Sequence, residues 1–122
     1  MQTAAEILVP AAPDLMKARA LWLDYLTNEK RMAAKTVEAY ERDFRQFCIH
    51  MTDYLGRPPR AKDMADLKPL VLRGYLARRR EAGSGPRTLA RGLAGIRSFV
   101  RYQERKGLAS SAGLTAMQAP KQ

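Results

Sequence analysis

The chain has 122 residues, with 22 Lys or Arg against 12 Asp or Glu and a formal charge of +10. That length makes one small globular domain with a modest core, too short for a large enzyme with its own substrate pocket. A single cysteine, Cys48, excludes an internal disulfide, and no Cys/His spacing suggests a zinc site, so a reducing compartment is the default and no metal or cofactor is implied. The opening MQTAAEILVPAAP lacks the basic start and long apolar stretch of a signal peptide, and no apolar run approaches membrane-spanning length, so a cytoplasmic location without a membrane partner is expected.

Residues 1–13, with Pro10, Pro13 and several alanines, read as a mobile arm on which Ile7, Leu8 and Val9 are the only docking candidates. Asp14 is a reasonable N-cap for a first helix reaching about Lys30, with Leu15, Ala18, Leu21, Trp22, Tyr25 and Leu26 on its apolar face. Bulky apolar residues at that spacing mean packing, so Trp22 reads as a core anchor. After a short connection at 31–35, a second helix runs from about Ala34 to Leu55. Its stripe of Val37, Tyr40, Phe44, Phe47, Cys48, Met51 and Leu55 makes it the main wall of the core. Its other face, with Glu38, Arg42, Arg45 and Gln46, has the mixed charge of an ordinary solvated surface.

Gly56-Arg57-Pro58-Pro59 stops that helix, and a loop leads to a short turn at Asp63 to Leu67. Pro69 then opens a third helix to about Ala82, with Leu72, Tyr75 and Leu76 inward. Gly74 inside it suggests close packing, and Arg78-Arg79-Arg80 suit the negative end of the helix dipole. The tail from Leu108 to Gln122, rich in Ala, Ser and Gly, reads as a linker. No alternating strand pattern and no repeat occurs. The expectation is an all-α, four-helix domain over residues 14–107, flanked by the arm and the linker 108–122.

The fourth helix is the most informative stretch. Residues 78–106 hold nine Arg or Lys against two Glu, whereas the first 77 residues hold twelve basic against ten acidic. Gly83 can close the preceding helix, Gly85 and Pro86 suit an N-cap and first helical position, and Gly107 is the stop. Leu89, Leu93, Ile96 and Val100 form one stripe, with Phe99 and Gly92 on its flank. Arg87, Arg91, Ser98, Arg101 and Arg105 lie opposite, separated by the small residues Ala94 and Gly95. A face of Arg and small residues with almost no acid points to a polyanion, because guanidinium groups clamp phosphates and read guanine bidentately.

Catalytic chemistry is not visible. His50 is the one histidine, Cys48 falls in an apolar stripe, and no GxxxxGK[ST], GxGxxG or GxSxG is present, so no small-molecule substrate is expected.

Three stretches in order, KTVEAYERDFRQF at 35–47, PLVLRGYLARRREAG at 69–83 and RTLARGLAGIRSFVRYQERKGL at 87–108, followed by APK at 119–121, make the chain resemble a known domain. It is similar to the N-terminal, SAM-like core-binding domain of Xer-type tyrosine recombinases and phage integrases, nearer to XerC than to XerD. The resemblance implies one half of a C-shaped clamp on double-stranded DNA, with the second and fourth helices in the major groove of a recombination half-site used in chromosome dimer resolution. Carried over by position, it makes Lys35, Thr36, Arg42 and Arg45 on the second helix DNA-facing candidates. On the fourth helix it does the same for Arg87, Thr88, Arg91, Ser98 and Arg101. This reverses the solvated reading of Arg42 and Arg45. It also implies partner recombinase subunits in a synaptic tetramer, contacted partly through the first helix. A Ser-Pro pair commonly opens the family's second helix. Ala33-Ala34 stand there instead, so its start is expected to lack a cap and fray.

The family's chemistry uses a tyrosine nucleophile with arginines, a lysine and an HxxR motif in a separate C-terminal domain. Asp53 follows His50 at the HxxR spacing, so the motif is absent and this stretch is expected not to cut DNA. Two other readings remain: the same domain of a phage or transposon integrase, or a helical interaction module whose Arg face meets an acidic protein.

Overall fold

The computed structural model describes residues 9–116. Among them lie five α-helices and no strand: α1 (Pro13–Asn28), α2 (Ala34–Leu55), α3 (Pro69–Glu81), α4 (Pro86–Arg105) and the short α5 (Ala112–Ala116), with a 3-10 turn at Ala61–Met64. The all-α class is as expected. The helix limits follow local chemistry. Pro13, Pro69 and Pro86 open α1, α3 and α4, where the missing N–H has no intrahelical partner to lose. Gly56, Gly83 and Gly107 take φ of 76°, 99° and 75°, the left-handed region where only glycine is free of a Cβ clash, and each ends its helix.

The core is built on three fully buried aromatic side chains from three helices. Trp22 of α1 lies 5.5 Å from Phe44 of α2 and 5.4 Å, edge-on, from Phe99 of α4, while Phe44 and Phe99 lie 4.9 Å apart. Leu15, Leu26, Phe47, Cys48, Leu72, Ile96 and Val100 fill the space around them. Each aromatic burial contributes roughly 1.5–3 kcal/mol. The Trp22 indole N–H, which would otherwise be buried without a partner, donates to Ser98 Oγ at 3.1 Å. Burial pushes the Cys48 thiol up to about 12, so it packs as a small hydrophobe and forms no reactive thiolate.

Several details differ from the sequence expectations. Asp14 is not the N-cap of α1. That place falls to Ala12, and the Asp14 carboxylate accepts the Ala61 N–H at the head of the 3-10 turn. Gly74 is exposed, and a Cβ there would meet the His50 ring at an ordinary 3.8 Å, so it marks no close packing. Val9 is buried and Ala12 N–H bonds Pro59 O at 2.9 Å, so the end of the arm docks, whereas residues 1–8 lie outside the described residues. The segment expected as a linker contains α5. Leu114 is buried in the core, Ser110 N–H bonds Ala65 O at 2.7 Å, and Gly113 lies against the Leu67 carbonyl with no space for a Cβ. Residues 117–122 lie outside the described residues.

The N-cap of α2, Ala33, makes no side-chain cap bond. Ala33→Ser should therefore stabilise the domain by about 1 kcal/mol, read as a higher urea midpoint. His50 lies against Phe47 and Tyr75, with its Nδ1 buried and without a hydrogen-bond partner. Burial, and then Arg78, lower its pKa below 6.5, with Asp53 opposing. The unfolded chain therefore takes up this proton first. The His50 contribution is complete above about pH 6.5 and declines as pH falls below it. Melting temperatures recorded from about pH 7.5 down to about pH 5 should show a component of acid loss that is absent in His50→Phe.

Candidate nucleic-acid interface

The outer face of α4 depends on how closely its inner face approaches α2. Gly92 and Gly95 are buried at that contact. A Cβ on Gly95 would sit 3.5 Å from the Tyr40 ring and 3.6 Å from the Tyr40 Cα, and one on Gly92 would sit 3.7 Å from Asp43 Oδ1. These residues are therefore helix-packing positions. The sequence reading placed Gly95 among spacers of the Arg face, and the structure corrects that: Ala94 is the small residue left on the outside. The two helices run in opposite directions here, with Asp43 beside Arg91 and Gly92, and Tyr40 beside Gly95.

Asp43 is the residue the sequence reading passed over. It is only 4% exposed, and it accepts two hydrogen bonds from Arg91, Nε to Oδ2 at 3.0 Å and Nη2 to Oδ1 at 3.2 Å. The bond to Asp43 outweighs desolvation and raises the pKa of Arg91 above its ordinary value, so the guanidinium stays charged. A buried carboxylate must find a cation, because its isolated burial is very costly. The sequence signal was an acid three residues before Gln46, on the edge between the apolar stripe and the mixed face of α2.

The remaining candidates fall into distinct settings. Lys35, Arg42, Arg87 and Arg101 are exposed, while Thr36 and Thr88 are half-buried. Ser98 is half-buried and holds Trp22, with its own hydroxyl proton still available to donate. Arg45 is turned towards α1. Its Nη2 lies 3.0 Å from Glu41 Oε1, and Glu41 Oε2 takes Arg19 Nη2 at 2.8 Å. This Arg19–Glu41–Arg45 clamp ties α1 to α2 on the side away from Arg91, so Arg45 does not join the α4 stripe. Arg91 and Arg45 thus have structural duties that a pattern of charges does not reveal.

Beyond Ala94 the α4 stripe opens into a groove of about 450 Å³ between the end of α1, the start of α2 and α4. Lys30, Arg97, Arg101 and Arg105 line it together with Ser98, Tyr25 and Tyr40, and no acidic side chain among the described residues does. Arg97, half-buried there, was also missed, although its four-residue spacing to Arg101 and Arg105 was available. The Arg105 guanidinium stacks 4.7 Å over the Tyr25 ring, which in turn lies 4.8 Å from Tyr102. Among the described residues Arg87, Arg97, Arg101 and Arg105 enter no ion pair. The result is a face of cations with phenol and hydroxyl donors between them. No three His, Cys, Asp or Glu side chains among the described residues are grouped to hold a metal ion, and no described helix is long and apolar enough to cross a membrane.

Fold and face together define a small all-α domain in which α4 carries an arginine-rich outer face beside α2. The chain belongs to the phage integrase N-terminal SAM-like domain family, whose model matches residues 20–107. It is 55% identical over 117 residues to a protein named tyrosine recombinase XerC from Mesorhizobium japonicum, covering 96% of this chain and 38% of that protein. A protein of the same name from Rhizobium meliloti is 53% identical, covering 96% of this chain and 37% of that protein. Another from Brucella suis is 48% identical over 122 residues, covering 100% and 39%. The chain thus spans about two fifths of the length of these relatives. No solved structure matches it.

Arg91→Ala should leave Asp43 buried without a cation and cost about 1–3 kcal/mol of stability. Urea unfolding of this variant beside Arg87→Ala, which breaks no ion pair, checks the assignment: the Arg87 variant should unfold within about 0.5 kcal/mol of the parent chain.

Proposed function

We propose that the chain is the DNA-binding module of a site-specific tyrosine recombinase acting in chromosome dimer resolution, with α2 and α4 in the major groove of a recombination half-site. The observation that carries this reading is the outer face of α4. Arg87, Arg97, Arg101 and Arg105 lie on it without ion-pair partners among the described residues, and Lys35 and Arg42 are exposed on the adjoining helix. Its relatives are named tyrosine recombinases, and the match is to their N-terminal domain family.

The residues suit the task. Exposed Lys35, Arg42, Arg87 and Arg101, with the Thr36 and Thr88 hydroxyls, would hold phosphates and fix the register of the protein on the duplex. A helix with Ala94 at the centre of its outer face can sit deep in a major groove. Strand cleavage is assigned to the part of the longer relatives that this chain does not span, so the chain binds and positions DNA without cutting it. Partner subunits of the same recombinase complete the assembly.

Binding of the chain to duplex DNA should weaken linearly in log–log form as salt rises, with a slope of about −0.9 for each phosphate contacted. Replacing Arg87 or Arg101 with Ala should reduce that slope by about one each and weaken all sequences alike. Absence of binding at low salt, or binding indifferent to salt, would refute the reading. Binding to an acidic protein with none to DNA would favour an interaction module instead.

A further inference from the structure

The geometry at Arg91 carries one step more, resting on the proposal that α4 lies in a major groove. A guanidinium has two forked edges. One consists of Nε–H with an Nη2–H, and the other consists of the second Nη2–H with an Nη1–H. Asp43 occupies the first edge completely, with bonds of 3.0 and 3.2 Å to Nε and Nη2. The second edge makes no hydrogen bond among the described residues. The Arg91 side chain is 40% exposed although its partner is buried, so the guanidinium lies at the surface with that edge unclaimed by protein groups among the described residues. A fork of two parallel N–H donors matches one base edge in the major groove, the O6 and N7 acceptors of guanine.

We propose that Asp43 is a positioning residue, fixing the plane of the Arg91 guanidinium so that its Nη1/Nη2 edge reads a single guanine in the recombination half-site. Two features separate this role from phosphate binding. Asp43 already balances the charge of Arg91, so the pair releases few counterions on contact with DNA and contributes little to the salt dependence. The side chain is also held at both ends, by the α4 backbone and by a carboxylate packed beside Gly92, so its rotamers are restricted before the duplex arrives. An unrestrained arginine would have to be ordered on binding, at a cost in side-chain entropy. The neighbouring exposed cations have no such brace, and flexible point contacts suit phosphates.

The test uses the 122-residue chain and a pool of duplexes carrying a fully randomised stretch, sequenced before and after selection on the protein. The parent chain should enrich guanine at one position over the other bases by about tenfold. Arg91→Lys, which keeps the charge and an ammonium partner for Asp43, should lose that enrichment while keeping the salt slope measured on the unselected pool. Asp43→Asn and Asp43→Ala should reduce the guanine enrichment at the same position and leave preferences elsewhere unchanged. Circular dichroism at the selection temperature establishes that each variant is folded; the Arg91→Lys result stands alone if the Asp43 variants are not. Two outcomes overturn the proposal: guanine enrichment that survives in Arg91→Lys, or enrichment that survives in a folded Asp43 variant. A parent chain that binds the pool in a salt-dependent way with no guanine position overturns this inference and leaves the DNA-binding proposal intact. No binding at all overturns both.

Discussion

The close approach of α4 to α2 at Gly92 and Gly95 is the constraint on which the rest of the structure depends. Both glycines are buried there, and a Cβ at either would already lie at contact distance, 3.5 Å from the Tyr40 ring at Gly95 and 3.7 Å from Asp43 Oδ1 at Gly92. A carboxylate in that place has lost most of its water, and Arg91 compensates by reaching over the edge of the contact and bonding both of its oxygens. The same approach brings Phe99 against Phe44 and Trp22, and it sets Ser98 where it can satisfy the indole. Core and surface are therefore not independent here. The rotation of α4 that buries the aromatic side chains is the rotation that turns its arginines outward.

The arginines divide by partner. Arg19, Arg45, Arg57 and Arg91 engage carboxylates that are themselves largely buried; the Arg19 and Arg91 contacts tie α1 and α4 to α2, and Arg45 shares Glu41 with Arg19 from within α2. Asp63, for example, holds Arg57 through two bonds and also caps the 3-10 turn by accepting the Arg60 N–H. The Arg57 hydrogen bond is the main cause of its lowered pKa. Arg87, Arg97, Arg101 and Arg105 have no such anchors among the described residues. The four paired arginines share three carboxylates and leave a single net positive charge, so the positive potential of the domain comes mainly from the second group and the lysines beside it. A net charge of +10 is thus less telling than its distribution.

Much of the fold was legible because its signals are local. Proline at first-turn positions, glycine at left-handed stops and apolar residues at helical spacing fix α2, α3 and α4 to within a residue or two. The arginine face of α4 was legible for the same reason, since a single helix carries it. What the sequence hid is tertiary. Gly95 looked like part of the outer face because the width of the inner face depends on how near α2 comes. Asp43 looked unremarkable because an acid on a mixed helix gains meaning only from Arg91, 48 residues away. Arg45 pairs with Glu41 at a local i,i+4 spacing, but that Glu41 also takes Arg19 of α1 depends on the packing of the two helices. The docking of α5 was invisible because Ala, Ser and Gly carry no periodic signal; a single buried leucine, the fit at Gly113 and the hydrogen bonds of Ser110 to Ala65 and Ser111 to Glu104 hold it.

Rigidity then connects fold to recognition. A surface that reads a base needs donors held within a fraction of an ångström, while one that only attracts phosphates needs charge at roughly the right place. The α4 face offers both kinds. Near its first half, a buried acid, a glycine contact and a bidentate bond immobilise one guanidinium. Towards its end, Arg97, Arg101 and Arg105 line an open groove with aromatic walls, where no carboxylate among the described residues holds them and Arg105 rests on the Tyr25 ring. Placing the fixed donor beside the closest helix contact and the free ones where the helices splay follows directly from packing. Only where α2 and α4 touch can an α2 carboxylate reach an α4 arginine, so the position of Gly92 determines which arginine of the stripe is braced.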